Sequence, residues 1–174
     1  RSGWYRDCSL IPHTTDIDFG IRAEEFSPVL LSDLDAARSP YKVSRIFGFP
    51  SDSYELTVKV KAWKGSTVDI DLFFIYTKSN ESYVAGLDWY TRKKYTWSYP
   101  RISSICTADL HGSLFHVPCN AEEILNMEYG DWQRDSPTSR FVWNKSHRNV
   151  RVEGAYTEQM KGMRPPLRRW IQDL

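Results

Sequence analysis

The chain has no run of 18 apolar residues, so no segment of it has the length and character of a membrane-spanning helix. Nothing at its start resembles a signal peptide; it opens at Arg1-Ser2-Gly3 without Met, as a fragment or processed form does. Any anchor or targeting segment is therefore expected upstream. Cysteine is scarce: Cys8, Cys106 and Cys119 permit one disulfide with one thiol left over, and their spacing matches no zinc site. No phosphate-binding P-loop occurs, which excludes that class of nucleotide hydrolase, and a Ser/His/Asp hydrolase has no Gly-x-Ser-x-Gly to support it. Charge of one sign is not in excess, with 23 Lys and Arg against 22 acids, so bulk electrostatics give no reason to invoke nucleic acid. Repeats, low-complexity tracts and Pro/Gly-rich linkers are missing as well. A single domain over residues 1–174 is the expectation, able to bury about 70% of its unfolded surface.

Charge is nevertheless uneven. Residues 140–174 hold 8 Lys/Arg and 3 acids, leaving an acidic body with a basic C-terminal tail that is expected to pack on it. Such a layout suits a protein that holds a metal in one part and clamps phosphate with another; a plain solvated tail has the same composition.

Periodicity points to a mixed sheet flanked by helices, of α/β or α+β class. Ser9–Ile11 and Asp16–Ile21 read as short strands around a Pro12-His13-Thr14-Thr15 bend. Ser27-Pro28 opens a helix whose apolar face runs from Val29 to Ala37, stopped by Ser39-Pro40. Over Tyr54–Ala62, apolar Tyr54, Leu56, Val58 and Val60 alternate with Glu55, Thr57, Lys59 and Lys61, the pattern of a half-buried strand. Lys64-Gly65-Ser66 turns the chain into Val68–Tyr76, apolar on both faces and so central. Strands near Ile102–Thr107 and Leu114–Val117 flank a His111-Gly112 turn. Asn120 and Glu123 are placed to form a capping box for a helix over Ala121–Glu128, ended by Gly130. Pro165-Pro166 opens a last short helix, Leu167–Leu174.

Three Asp-x-Asp triplets stand out: Asp16/Asp18, Asp33/Asp35 and Asp69/Asp71. With 13 Asp in 174 residues, chance alone supplies about one. Context separates them. On a strand, residues i and i+2 face the same way and can share a divalent ion; on a helix they diverge. Asp33/Asp35 lies in the expected helix and reads as a solvated face. The other two pairs lie on strands beside apolar runs, where an unpaired carboxylate is costly. Hard oxygen ligands imply Mg2+ or Mn2+, which neutralises a diphosphate leaving group. Capping of the strands, or ion pairing of these aspartates with Lys and Arg, is the competing structural reading.

The surrounding residues carry a resemblance. Gly3-Trp4-Tyr5-Arg6, then Ile11-Pro12-His13, then Asp16-Ile17-Asp18-Phe19-Gly20-Ile21 resembles the signature of the LicD/fukutin family: Gly-x-x-Arg, a short gap, Ile-Pro and a strand bearing Asp-x-Asp. Ile70-Asp71-Leu72-Phe73-Phe74-Ile75-Tyr76 looks like the family's second strand, which brings the third carboxylate. Val117-Pro118-Cys119 and Tyr129-Gly130-Asp131-Trp132 resemble its C-terminal motifs. The fukutin branch fits better than bacterial LicD: Thr14 and Thr15 stand where LicD proteins usually add aspartates, and Trp143…Ser146…Asn149-Val150 looks fukutin-like. By this resemblance the family's glycine-rich lead-in, and fukutin's N-terminal region and membrane anchor, are expected before Gly3, cut off from this stretch.

The resemblance implies a nucleotidyltransferase-like fold used for phosphotransfer. Fukutin-type proteins transfer ribitol 5-phosphate from CDP-ribitol to a glycan or glycoprotein hydroxyl in the Golgi; LicD proteins transfer phosphocholine from CDP-choline. By carry-over, Asp16 and Asp18 hold Mg2+ or Mn2+, and Asp71 completes the site as third ligand or as the base for the acceptor's proton. Arg6 would contact phosphate as a bidentate fork. A catalytically silent member that binds a glycan or partner enzyme is the alternative. Further substrate candidates are His13 before the first strand, Trp143 as a stacking surface, and Arg148, with Arg140, Lys145 and Arg151, as a diphosphate clamp. His111 reads as a turn residue and His116 as strand packing. Cys106 and Cys119 also look fukutin-like and flank the expected hairpin, so a disulfide is expected between them, although two buried thiols leave the same sequence. Asn80-Glu81-Ser82 and Asn144-Lys145-Ser146 are N-glycan acceptor patterns, Asn80 being the favoured site, and with the family they point to the Golgi or ER lumen.

Overall fold

The structure, a computed structural model, describes residues 3–12, 14–61, 65–134, 141–157 and 160. In chain order the elements are α1 (Gly3–Asp7), β1 (Asp16–Arg22), a 3-10 turn (Ala23–Glu25), α2 (Val29–Leu34), β2 (Tyr41–Phe47), β3 (Glu55–Lys61), β4 (Thr67–Lys78), β5 (Glu81–Asp88), β6 (Lys93–Pro100), β7 (Ile105–Leu110), β8 (Ser113–Pro118), α3 (Ala121–Tyr129) and β9 (Val150–Ala155). Seven strands form one sheet in the order β2-β3-β4-β5-β6-β9, with β1 paired to β4, and β7-β8 is a separate two-stranded sheet. The sheet is mixed, because β1 runs parallel to β4 while β3 lies antiparallel to both β2 and β4. Helices are few and short among the described residues. They number three, of five, six and nine residues, so sheet dominates more than the sequence suggested.

The chain divides into two compact units: one of Arg1–Thr14, Thr77–Tyr83 and Thr96–Arg151, the other of Thr15–Tyr76, Val84–Tyr95 and Val152–Leu174. In the second unit, Val43 and Ile46 of β2, Leu56 and Val58 of β3 and Phe74 of β4 are buried with Leu31 of α2. Fully burying a side chain such as Leu56 or Phe74 stabilises by about 2 kcal/mol. Phe26, Tyr54 and Phe74 close this core as three edge-to-face pairs with centroids 5.0–5.3 Å apart. Tyr76 extends it, its hydroxyl accepting from the Tyr54 N–H at 2.9 Å and donating to the Phe49 carbonyl at 3.3 Å.

In the first unit Trp4 of α1 meets Phe115 of β8 edge-on, and Tyr5 meets Trp132. Cys106 and Cys119 are joined by a disulfide with Cα atoms 5.0 Å apart, and Cys8 is an exposed free thiol. His111, at φ +53°, makes the turn of the β7-β8 hairpin and lies with Nε2 3.4 Å from Ser9 Oγ.

Several expectations need correction. Ser9–Ile11 is no strand: Ser9 N–H bonds back to the Gly3 carbonyl beside α1, and Ile11 is buried without a pairing partner strand. Helix α2 ends at Leu34 rather than Ala37, and Asp35 pairs with Lys42 at 2.8 Å. The hairpin strands lie at Ile105–Leu110 and Ser113–Pro118, offset from the expected spans. Asn120 precedes α3 but does not cap it; its amide donates to Glu123 Oε2 and to the Arg101 carbonyl, both at 3.3 Å. His116 is exposed on β8 and not packed inward. The expected final helix, Leu167–Leu174, lies outside the described residues, as do Lys64 of the β3-β4 turn and, in the basic tail, Arg140, Lys161, Arg164, Arg168 and Arg169.

Candidate functional site

Parallel pairing sets β1 beside β4 with Asp16 opposite Asp69 and Asp18 opposite Asp71. Directly opposed residues point to the same face of a sheet, and so do residues i and i+2. Both Asp-x-Asp pairs therefore occupy one face. Across β3 the register continues with Lys59 opposite Asp69, Thr57 opposite Asp71 and Glu55 opposite Phe73. On β2, Arg45 stands opposite Thr57 and Phe47 opposite Glu55. One row of this face thus reads Arg45, Thr57, Asp71, Asp18 across four strands. The reverse face carries Leu56, Val58 and Phe74 into the core.

Asp16, Asp18 and Asp71 each offer a carboxylate oxygen, and the three oxygens lie within 4.8 Å of one another. Asp16 and Asp18 are exposed, Asp71 half-buried. The fourth aspartate of the block is held elsewhere: Lys59 Nζ reaches Asp69 Oδ1 at 2.7 Å. The ion-pairing reading thus holds for Asp69, and Asp71 too has a cation, Arg45, at 3.4 Å. Asp71 Oδ1 accepts from the Thr57 hydroxyl and lies 3.4 Å from Arg45 Nη2, which sits 2.8 Å from Glu55 Oε1. Burial pushes the Glu55 carboxyl up to about 7; the charge of Arg45 opposes this, and those of Asp71 and Asp18 add to it. Three all-oxygen carboxylate donors on adjacent strands form a donor set suited to a hard divalent ion such as Mg2+ or Mn2+.

The other sequence candidates belong to the first unit or lie outside the described residues. Arg6, in α1 of the first unit, pairs with its neighbour Asp7 at 2.9 Å, which lowers the Asp7 carboxyl below its ordinary range. Trp143 is stacked on Trp97 at 5.7 Å in that same unit, half of it open to solvent. Arg148 lies against Gly130, where φ is +74° and a Cβ would fall 2.2 Å from Arg148 Nη1. The Tyr-Gly motif thereby ends α3 and makes room for that guanidinium. His13 lies outside the described residues. Asn80 is exposed in the turn between β4 and β5. In the second acceptor pattern, the Ser146 hydroxyl accepts from the Val142 N–H at 2.8 Å.

Arg45, Thr57 and Glu55 escaped the sequence reading. Alternation assigned Glu55 and Thr57 to solvent, yet both are buried. Pairing β3 with β4 across the Gly65 turn would have carried Thr57 to Asp71; β2 offered no signal of comparable strength.

A family model described as "LicD/FKTN/FKRP, nucleotidyltransferase domain" matches residues 2–120. Two uncharacterized Caenorhabditis elegans proteins are each 40% identical to the chain, over 162 residues (90% of it) and 166 residues (91% of it), and in both cases over 42% of their own length. The mouse and human proteins named ribitol-5-phosphate transferase FKTN are each 30% identical over 155 residues, 88% of the chain and 32% of theirs. The chain spans less than half the length of these curated relatives. No solved structure matches it.

Proposed function

Because the chain belongs to the LicD/FKTN/FKRP nucleotidyltransferase family, we propose that it is a metal-dependent phosphotransferase that moves ribitol 5-phosphate, or a related phospho-alditol, from a CDP-activated donor to a glycan hydroxyl. The observation that carries this reading is the register of β1 and β4, which brings oxygens of Asp16, Asp18 and Asp71 within 4.8 Å of each other.

Asp16 and Asp18 would hold Mg2+ or Mn2+, with Asp71 as third ligand or as the base. When bound, the ion supplies positive charge to a diphosphate and makes CMP a better leaving group. The acceptor oxygen forms a bond to the alditol-bearing phosphorus while the bridging P–O bond breaks, and CMP departs with that bond's electron pair. In the base role, Asp71 takes the acceptor hydroxyl's proton; Thr57 and Arg45 restrain its carboxylate for that task. Arg6, Arg148 and Trp143 remain candidates for donor contacts.

The disulfide supports an oxidising compartment, and we place the protein in the Golgi or ER lumen, with Asn80 as glycan acceptor. A donor panel with a glycan acceptor tests the reading. Release of CMP from CDP-ribitol, abolished by EDTA and restored by Mg2+ or Mn2+, is expected. Release from CDP-choline alone would move the protein to phosphocholine transfer. No release from any donor by the full-length protein would leave a silent binding member of the family.

A further inference from the structure

Strand β2 changes register between Val43 and Arg45. Before the shift Val43 opposes Val58; after it Arg45 opposes Thr57 and Ile46 opposes Leu56. Continued without interruption, the first register would set Arg45 opposite Leu56, whose side chain is wholly in the core. One extra residue, Ser44, therefore turns Arg45 from the core face to the face that bears the aspartates. The bulge is tied down by the Ser44 hydroxyl, which donates to the Thr57 carbonyl at 3.1 Å.

Once there, the guanidinium does not hang free. Its Nη2 lies 2.8 Å from Glu55 Oε1 and 3.4 Å from Asp71 Oδ1, and its plane sits over the Phe47 ring with Cζ 5.1 Å from the centroid. Glu55 is almost fully buried, so its carboxylate has strong reason to keep this partner. Thr57 binds the same Asp71 oxygen. Both restraints fall on Oδ1, so they select the other oxygen, Oδ2, for whatever Asp71 serves.

We propose that Arg45, tethered by Glu55 and aimed by the Ser44 bulge, is a positioning residue that sets the orientation of the Asp71 carboxylate in the metal site. This rests on the reading of Asp16, Asp18 and Asp71 as ion ligands. Two consequences of the guanidinium oppose each other. As a positive charge it weakens cation binding nearby; as a rigid fork it pre-orients a ligand, and loss of such partners typically costs 10–100-fold in metal affinity. Orientation is the larger effect.

Mn2+ binding to the full chain, followed by electron paramagnetic resonance, separates the two without any donor substrate. Arg45→Lys keeps the charge and loses the fork; Arg45→Met loses both. We expect Arg45→Lys to weaken Mn2+ about tenfold and to broaden the bound-ion spectrum, with an unchanged urea midpoint. Glu55→Gln should weaken binding less, and adding it to Arg45→Lys should change nothing further, because the two act through one guanidinium. Wild-type affinity in Arg45→Lys, or tighter binding in Arg45→Met, would overturn the positioning role while leaving the metal site intact. If the wild-type chain itself binds no Mn2+, the site assignment fails first.

Discussion

Asp18→Asn isolates the charge crowding at the site. Oxygens of Asp16, Asp18 and Asp71 lie within 4.8 Å of one another, and at that distance two unit charges repel by about 0.9 kcal/mol in water and about 3.5 kcal/mol at an effective dielectric of 20. Asp16 and Asp18 are exposed, and Arg45 offsets part of the Asp71 charge, so the low end applies. Relieving two such pairs should raise metal-free stability by about 1–2 kcal/mol. Excess Mn2+ reverses the order. At a hundred times the dissociation constant, binding adds about 2.7 kcal/mol to the wild type, which the variant forgoes. Urea unfolding followed by tryptophan fluorescence, with EDTA and then with Mn2+, should show the two midpoints cross. In 1 M salt, where the screening length is about 3 Å, the metal-free gap should shrink. A metal-free variant that loses several kcal/mol would mean Asp18 is a structural partner and would sink the site.

Glu55 makes stability depend on pH. Its carboxyl is raised from 4.5 to about 7 in the folded chain, so the folded state holds the proton more tightly, and stability present below about pH 4.5 is lost as pH climbs to 7. The loss amounts to about 3 kcal/mol relative to Glu55→Gln, measured by urea unfolding in EDTA at pH 4.5 and 8; equal losses in the two proteins would refute it. Gly48→Ala should cost at least about 3 kcal/mol, because φ is +73° and a Cβ there would lie 1.8 Å from the Ser53 carbonyl oxygen, a backbone atom that cannot step aside. An unchanged urea midpoint would show that turn to be built differently. Cys119→Ser should cost about 3 kcal/mol by opening a loop of sequence separation 13. Non-reducing mass spectrometry should find the 106–119 peptides linked and Cys8 free, and three free thiols would exclude the bond.

Strands β1, β3 and β4 were legible because their evidence is local and periodic. Asp16, Asp18 and Asp71 flank apolar alternation that only an extended chain can use. The Gly130 end of α3 and the turn at His111-Gly112 were legible for the same reason, each glycine bringing its own backbone preference; the start of α3 fell where expected without the Asn120 cap. Strands β2, β5, β6 and β9 were not, since Tyr41–Phe47, Glu81–Asp88, Lys93–Pro100 and Val150–Ala155 mix polar and aromatic side chains without a clean period of two. In Ser9–Ile11 the local pattern misled, because a strand needs a neighbour and this segment folds back on α1 instead.

The amino-acid sequence alone determined which carboxylates were available and that Asp16/Asp18 and Asp69/Asp71 would each share a face, the latter following from the pleat of one strand. Register was decided only in three dimensions. Pairing between strands some fifty residues apart depends on how a whole sheet buries its apolar face, and no single strand encodes it. That register set Asp18 beside Asp71, gave Asp69 to Lys59, and through one extra residue in β2 turned Arg45 toward the site.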